Sequence, residues 1–161
     1  MANIVYIGLG ANLNEPAKTL RLALTALNDI PDTQVVAHSK LYSSVPMGPS
    51  DQPDYVNAVA QLRTELTPHA LFQHTCEIEQ QHGRTRNGEH WGPRTLDLDI
   101  LLYGDQQIKD DDLTIPHYGM KEREFVLYPL LEISPELVLP CGTQLKSLTQ
   151  NVPLNGMCPI E

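Results

Sequence analysis

Positive charge is what this chain has least of: 11 Lys and Arg stand against 20 Asp and Glu, a formal net charge of −9 at pH 7. Nucleic acids and anionic membranes favour basic faces, so neither is expected as a partner. Cysteine is also sparse. Cys76, Cys141 and Cys158 are odd in number and lack metal-ligand spacing, which argues against a disulfide framework and fits reduced cytosolic thiols. No apolar run approaches membrane-spanning length. The opening Met1-Ala2-Asn3-Ile4-Val5-Tyr6 lacks the basic and long apolar regions of a signal peptide and reads as a first strand. Internal repeats and low-complexity segments are missing too. The expectation is a cytoplasmic chain forming one domain over 1–161, with a core over about 4–140 and a peripheral tail over 141–161.

What is present alternates in two periods. Ile4 to Leu9 is a short apolar strand ending in Gly10-Ala11-Asn12-Leu13-Asn14, with Asn14 an N-cap and Pro16 early in the next helix. Leu20, Ala23, Leu24 and Leu27 recur at helical spacing, and Pro31-Asp32 stops that helix. Gln34 to Tyr42 reads as a second strand. A long loop with three prolines follows over 43–53, a length that suits a surface Ω-loop or a binding loop. Asp54 to Thr64 alternates as a third strand, with Val56, Ala58, Ala60 and Leu62 on one face and Tyr55, Asn57, Val59 and Gln61 on the other. Thr67-Pro68 opens a second helix running toward Gly83. On it Glu79, a single helix Glu, reads as solvent-facing.

Gly83 to Pro93 forms a second polar loop carrying Arg84, Arg86, His90 and the lone Trp91. The next strand places Leu96, Leu98, Ile100 and Leu102 on one face and Thr95, Asp97, Asp99, Leu101 and Tyr103 on the other. Gly104-Asp105 turns the chain, and Gln106 to Ile108 returns as a hairpin partner. Phe125 to Leu131 is a short apolar helix broken by Pro129, and the stretch after Pro140 carries weak signals. The order β-α-β-β-α-β is the ferredoxin-like split arrangement: an α+β fold whose antiparallel sheet is covered by helices, with an extra hairpin and short C-terminal helices.

The chemistry concentrates in the fourth core strand. Asp97 and Asp99 stand on one strand face, about 6.5–7 Å apart along the backbone. Asp is depleted in strands, and two like charges on one face repel each other unless a cation neutralises them. Mg²⁺ takes one or two carboxylates together with waters and phosphates. The scarce cations cluster close by, at Arg84, Arg86, Arg94, Lys121 and Arg123. A local anion site on an acidic body, next to a paired-carboxylate site, suggests a Mg²⁺-dependent phosphate-transfer enzyme. A non-catalytic ferredoxin-like ligand-binding module is the competing class. It would need no metal and would leave the acid–arginine cluster without a purpose.

These residues resemble one family: the 6-hydroxymethyl-7,8-dihydropterin pyrophosphokinases of folate biosynthesis. The resemblance is carried by His90, Gly92-Pro93-Arg94, Asp97-Leu98-Asp99 and Ile100-Leu101. It extends to Gly10 with Asn12-Leu13, Gly48-Pro49 with Asp51-Gln52-Pro53-Asp54-Tyr55 and Asn57-Ala58, and Pro116-His117-Tyr118 with Met120-Lys121 and Arg123. It implies an ATP-dependent diphosphotransferase that moves a pyrophosphoryl group from ATP to the pterin hydroxymethyl and releases AMP. By that resemblance Asp97 and Asp99 hold two Mg²⁺ ions, while Arg84 and Arg94 act catalytically on the phosphates. ATP is met by Glu79, Arg86, His90, Trp91, Arg94, Ile100, His117, Tyr118 and Arg123. The pterin is met by Ser44, Val45, Met47, Tyr55, Asn57, Trp91, Asp97 and Phe125. The partners it implies are these small molecules, with the chain acting as a monomer.

Four positions depart from the pattern of enterobacterial relatives: His90 where Arg is common, Asn87 where Lys is found, Cys76 in place of Gln, and Asp112 in place of Arg. Fewer fixed cations around the nucleotide imply ATP binding that depends on the charge of His90. Raising pH from 6 to 8 is expected to weaken ATP binding by the native protein more than by His90→Arg, because only the imidazole loses charge over that interval. Calorimetric titration at both pH values checks this, and equal pH dependence in the two proteins counts against a role for His90.

Overall fold

A computed structural model describes residues 3–11, 15–44, 55–81, 96–110, 113–115, 124–150, 152 and 158–159. The apolar opening forms strand β1 (Asn3–Ala11). Pro16 then starts helix α1 (Pro16–Asn28), a position where its missing N–H costs nothing. The helix begins directly after Glu15, which is left-handed at φ 60 and makes no side-chain cap bond. Asn14, expected as the cap, lies outside the described residues. Thr19, Leu20, Ala23 and Leu27 are the buried stripe of α1.

The expected second strand is two strands. β2 (Thr33–His38) and β3 (Tyr42–Ser44) both pair antiparallel with the long β4 (Tyr55–Thr64), β2 along its C-terminal half and β3 along its start. The break has a local cause. Ser39 turns inward, its Oγ accepting the Val59 N–H at 3.0 Å and donating to the Lys40 carbonyl at 2.7 Å. Val36 is bulged between pairs Val35–Leu62 and Ala37–Gln61.

Helix α2 (Pro68–Gln81) follows, with Thr67 Oγ1 accepting the Ala70 N–H at 3.2 Å in the capping role its sequence position suggests. Strand β5 (Asp97–Tyr103) pairs antiparallel with β1. The strand order β5-β1-β4-β3, with helices after the first and fourth strands, is the ferredoxin-like antiparallel arrangement expected.

The alternation expected for β5 fails at its end. Tyr6 faces Leu102 but Ile7 faces Ile100, so Leu101 is an extra residue. This bulge switches the faces: Tyr103 joins Leu98 and Ile100 in one core cluster, and Leu102 joins Leu101 in the other. Tyr103 is fully buried at its ring, with its hydroxyl donating to the Leu66 carbonyl and accepting from Asn3 Nδ2 at 3.1 Å. Burial raises its pKa more than the Asn3 bond lowers it.

After the Gly104 turn (φ 53), β6 (Ile108–Lys109) pairs with β7 (Thr114–Ile115) as a separate two-stranded hairpin. The expected hairpin partner of β5 is therefore β7's partner instead, closed by an Asp110 N–H to Leu113 carbonyl bond of 2.9 Å.

Helix α3 (Glu124–Ile133) runs through Pro129 rather than breaking at it. Packing of Val126, Leu127 and Leu130 into the core outweighs the one backbone bond that proline removes. The stretch after Pro140, expected to be peripheral, contributes α4 (Leu145–Thr149), whose Leu145 is fully buried, and β8 (Cys158–Pro159), which pairs with β3.

Apolar clusters cover both faces of the sheet. Val5, Ile7, Leu9, Ala58, Ala60, Leu62, Leu98 and Ile100 meet α1 and α2 on one side. Tyr6, Val59, Leu101 and Leu102 meet α3 and α4 on the other. Tyr6 also reaches Ser134 Oγ with its hydroxyl at 2.6 Å. A clasp joins β3 to α3: Glu132 accepts the Tyr42 hydroxyl through Oε1 and the Lys40 N–H through Oε2, the latter at 3.0 Å.

Burial, then the hydrogen bond to Glu132 and its charge, hold the Tyr42 pKa far above the usual value near 10. The fold keeps this phenol protonated while the unfolded chain ionises. Its stabilisation over Phe is therefore complete below pH 10 and shrinks as pH rises beyond it. Urea midpoints of the native protein and Tyr42→Phe should converge above that pH; a gap independent of pH would overturn the role given to the hydroxyl.

Candidate active site

Strand β1 stands between β4 and β5, and its register decides which residues meet. Gly10 lies opposite Asn57 on one side and Asp97 on the other, and Gly8 lies opposite Val59 and Asp99. Directly opposed residues in an antiparallel sheet share a face. Asn57, Gly10 and Asp97 therefore form one row across three strands, with Tyr42 extending it next to Asn57. Asn57 and Asp97 are two strand spacings apart, about 10 Å. Tyr55 and Asp99 stand on the same face, each two residues along its own strand.

This face is the one that α3 packs against, shown by Val59 and Leu101 in the cluster with Val126, Leu127 and Leu130. The polar row lies further along the strands. Asn57 is buried at 5% exposure, Asp97 and Tyr55 are half-buried, and Asp99 is exposed. A row graded in this way offers a sheltered amide at one end and accessible oxygens at the other.

Glycine on the central strand keeps the row low. A Cβ at Gly10 would stand 3.0 Å from Asn57 Oδ1, so the amide occupies space that any other residue would fill. A Cβ at Gly8 would meet the Leu101 side chain at an ordinary 3.5 Å. Gly8 escaped the sequence reading, although glycines at alternate positions inside an apolar strand are the available signal for a close approach over one face.

Glu79 corrects an expectation. It is buried, 5% exposed, and its Oε2 accepts the Leu98 N–H at 2.8 Å. Leu71, Thr75, Ile78 and Glu79 form the buried stripe of α2, and the four-residue steps from Leu71 to Thr75 to Glu79 were the signal. Ile100 is core on the α1–α2 face, so a ligand at this position meets backbone and not its side chain.

Ser44 closes β3 opposite Tyr55, and Phe125 lies in the first turn of α3. Of the other expected site residues, Val45, Met47, Arg84, Arg86, His90, Trp91, Arg94, His117, Tyr118 and Arg123 lie outside the described residues. The fold thus brings together Tyr55, Asn57, Asp97 and Asp99 from segments some 40 residues apart in sequence.

Asp97 and Asp99 suit a hard divalent cation by the chemistry of their donors: two carboxylates on one face, one half-buried and one exposed, opposite the two glycines of the central strand. Among the described residues no group of three or more His, Cys, Asp or Glu side chains converges. Two carboxylates with remaining positions open to water and phosphate is the Mg²⁺ habit rather than that of a closed structural site.

Fold and face together define a ferredoxin-like α+β protein with an acidic, ligand-accessible row across its sheet. The chain belongs to the 7,8-dihydro-6-hydroxymethylpterin-pyrophosphokinase (HPPK) family, whose sequence model matches residues 6–135. It is 54% identical over 135 residues to the 2-amino-4-hydroxy-6-hydroxymethyldihydropteridine pyrophosphokinase of Haemophilus influenzae, covering 84% of each chain. It is 48% identical over 157 residues to the protein of that name from Pseudomonas aeruginosa, covering 98% of this chain and 96% of the relative. Among solved structures, wild-type Plasmodium falciparum HPPK-DHPS with pteroate matches with a TM-score of 0.74 at 15% identity. That match covers 94% of this chain and 42% of the Plasmodium chain, so this chain spans under half of that protein, and the likeness bears on fold alone.

Gly10→Ala should displace the Asn57 amide and cost about 1–3 kcal/mol, the usual range for overpacking. Gly8→Ala, with its ordinary contact, should leave that amide in place. Side-chain amide resonances of Asn57 and denaturant midpoints of the two variants check this, and an unmoved Asn57 signal in Gly10→Ala would refute the steric argument.

Proposed function

We propose that this protein transfers a pyrophosphoryl group from ATP to the hydroxymethyl group of 6-hydroxymethyl-7,8-dihydropterin, releasing AMP, as a step of folate biosynthesis. Family membership and the names of its relatives support the activity and its two small-molecule substrates. The observation that carries the reading to particular residues is the Asn57–Gly10–Asp97 row, which sets a sheltered amide and an acidic pair about 10 Å apart on one face.

In this reading Asn57 meets the hydrogen-bonding edge of the pterin, since an amide both donates and accepts. Tyr55 and Phe125 line its rings, Ser44, Val45 and Met47 border it, and Trp91 covers it. The hydroxymethyl oxygen then points toward Asp97. Asp97 and Asp99 would hold Mg²⁺, which when bound neutralises charge on the transferring phosphates. Arg84 and Arg94 stabilise charge that develops on the phosphates during transfer, a task suited to a planar, multi-donor guanidinium. Arg86, His90, His117, Tyr118 and Arg123 grip the rest of the triphosphate, and the backbone at Ile100 meets the adenosine. Phosphoryl-type transfer needs position and charge stabilisation more than covalent help, so orienting the acceptor oxygen and excluding water are the main tasks of these side chains. The enzyme acts as a cytoplasmic monomer on these small molecules, with no nucleic acid or membrane as partner. Residues 1–161 work as one domain. Among the described residues, no helix is long and apolar enough to cross a membrane.

The deciding experiment incubates purified protein with ATP, Mg²⁺ and 6-hydroxymethyl-7,8-dihydropterin and identifies the products. AMP and pterin diphosphate should form one for one, and Asp97→Ala should lower the rate by roughly 10³-fold, the scale of losing metal-based charge stabilisation. ADP, free phosphate or no pterin-dependent turnover would return the acidic pair to another phosphate transfer or to ligand binding alone.

A further inference from the structure

The peptide unit that joins Asp97 to Leu98 is gripped from outside the sheet. β5 is an end strand of the described sheet, where outward N–H groups lack a strand partner. The Leu98 N–H is satisfied by Glu79 Oε2 at 2.8 Å, from a helix packed on the opposite face to the acidic pair. Glu79 is buried to 5% exposure, and placing a carboxylate there is costly because desolvation penalises its charged form. Its location is specific: the residues flanking Leu98 are Asp97 and Asp99, so the gripped amide belongs to one of the two peptide groups between the acidic side chains. Leu98 itself is core on the α2 side, so the strand is held both by its side chain and by its amide at this one residue.

We propose that Glu79 is a positioning residue for the acidic pair. Its carboxylate fixes the Asp97–Leu98 peptide plane against α2, and with it the directions in which Asp97 and Asp99 project toward a divalent cation. This rests on reading Asp97 and Asp99 as the metal carboxylates. It differs from a direct contact between Glu79 and nucleotide: the carboxylate acts through the backbone of β5, and what it controls is the cation dependence of nucleotide binding.

The test uses the full chain without pterin, so that nothing turns over. Amide hydrogen exchange at Leu98 is read in the metal-free protein, and ATP binding is titrated calorimetrically across a MgCl₂ series. Glu79→Asp keeps charge and acceptor but withdraws the oxygen by one methylene. It should accelerate Leu98 exchange about tenfold and raise the half-saturating Mg²⁺ concentration about tenfold, the equivalent of one charge-assisted hydrogen bond, while AMP binding without Mg²⁺ stays unchanged. Glu79→Gln, whose amide oxygen can accept the same N–H, should remain within about threefold of native in both readouts.

Native Leu98 exchange and native Mg²⁺ dependence in Glu79→Asp would overturn the proposal. So would a loss of stability with Mg²⁺ dependence unmoved, which marks a merely structural residue, or damage by Glu79→Gln equal to that by Glu79→Asp, which marks the charge as the active property. Weakened AMP binding without Mg²⁺ would mark direct nucleotide contact instead. Asp97→Asn separates the two readings. If it abolishes the Mg²⁺ dependence while Glu79→Asp is neutral, the role of Glu79 alone falls; if it leaves that dependence intact, the metal assignment falls and takes this proposal with it.

Discussion

Everything at the candidate site depends on the antiparallel register of β1 with its two neighbours. Because strand side chains alternate with a period of two, a slip of one residue against β4 would send Asn57 to the face that α1 and α2 cover, and a slip against β5 would do the same to Asp97. Burial prevents both slips. Val5, Ile7 and Leu9 are locked into the cluster with α1 and α2, while Tyr6 is locked into the opposite cluster and tied to Ser134. A strand held from both faces cannot shift without exposing one set of apolar side chains and burying glycines in its place. The register is thus set by the core at one end of β1 and used by the polar row at the other.

The second constraint is how the strands flanking the row are held. Both use a helical carboxylate that accepts backbone N–H: Glu79 on α2 takes the Leu98 amide, and Glu132 on α3 takes the Lys40 amide together with the Tyr42 hydroxyl. One of these strands carries the acidic pair and the other pairs with Asn57. The acidic balance of the chain is therefore divided between exposed residues on the sheet face, such as Asp99, and residues committed to holding the backbone that presents them. Composition counts both kinds alike.

The sequence was legible where a single period ran undisturbed. The stripe of α1, the capping Thr67, the alternation of β4 and the order of core elements all followed from spacing and turn chemistry. It was illegible where one residue interrupted the period. The bulge at Leu101 exchanged the faces of Leu102 and Tyr103, and the inward turn of Ser39 split one expected strand into two. Pro129 looked like a stop because the apolar surface that carries α3 past it comes from β1, β4 and β5, far away in sequence. Glu79 looked like a surface residue because its partner is a backbone amide 19 positions away, which no side-chain pattern announces.

By itself the sequence determined the residue types of the site and the faces of the strands that carry them: Asp97 with Asp99 on one strand face, Tyr55 with Asn57 on another, and a family signature spanning them. Those are local properties, governed by the geometry of one strand at a time. Tertiary structure alone decided that the two faces are the same face, that Gly10 lies between Asn57 and Asp97, and that Glu79 holds the amide between the two acids. Each of these is a relation between strands or between strand and helix. Such relations are set by which apolar surfaces bury together, and that choice exists only once the chain is folded.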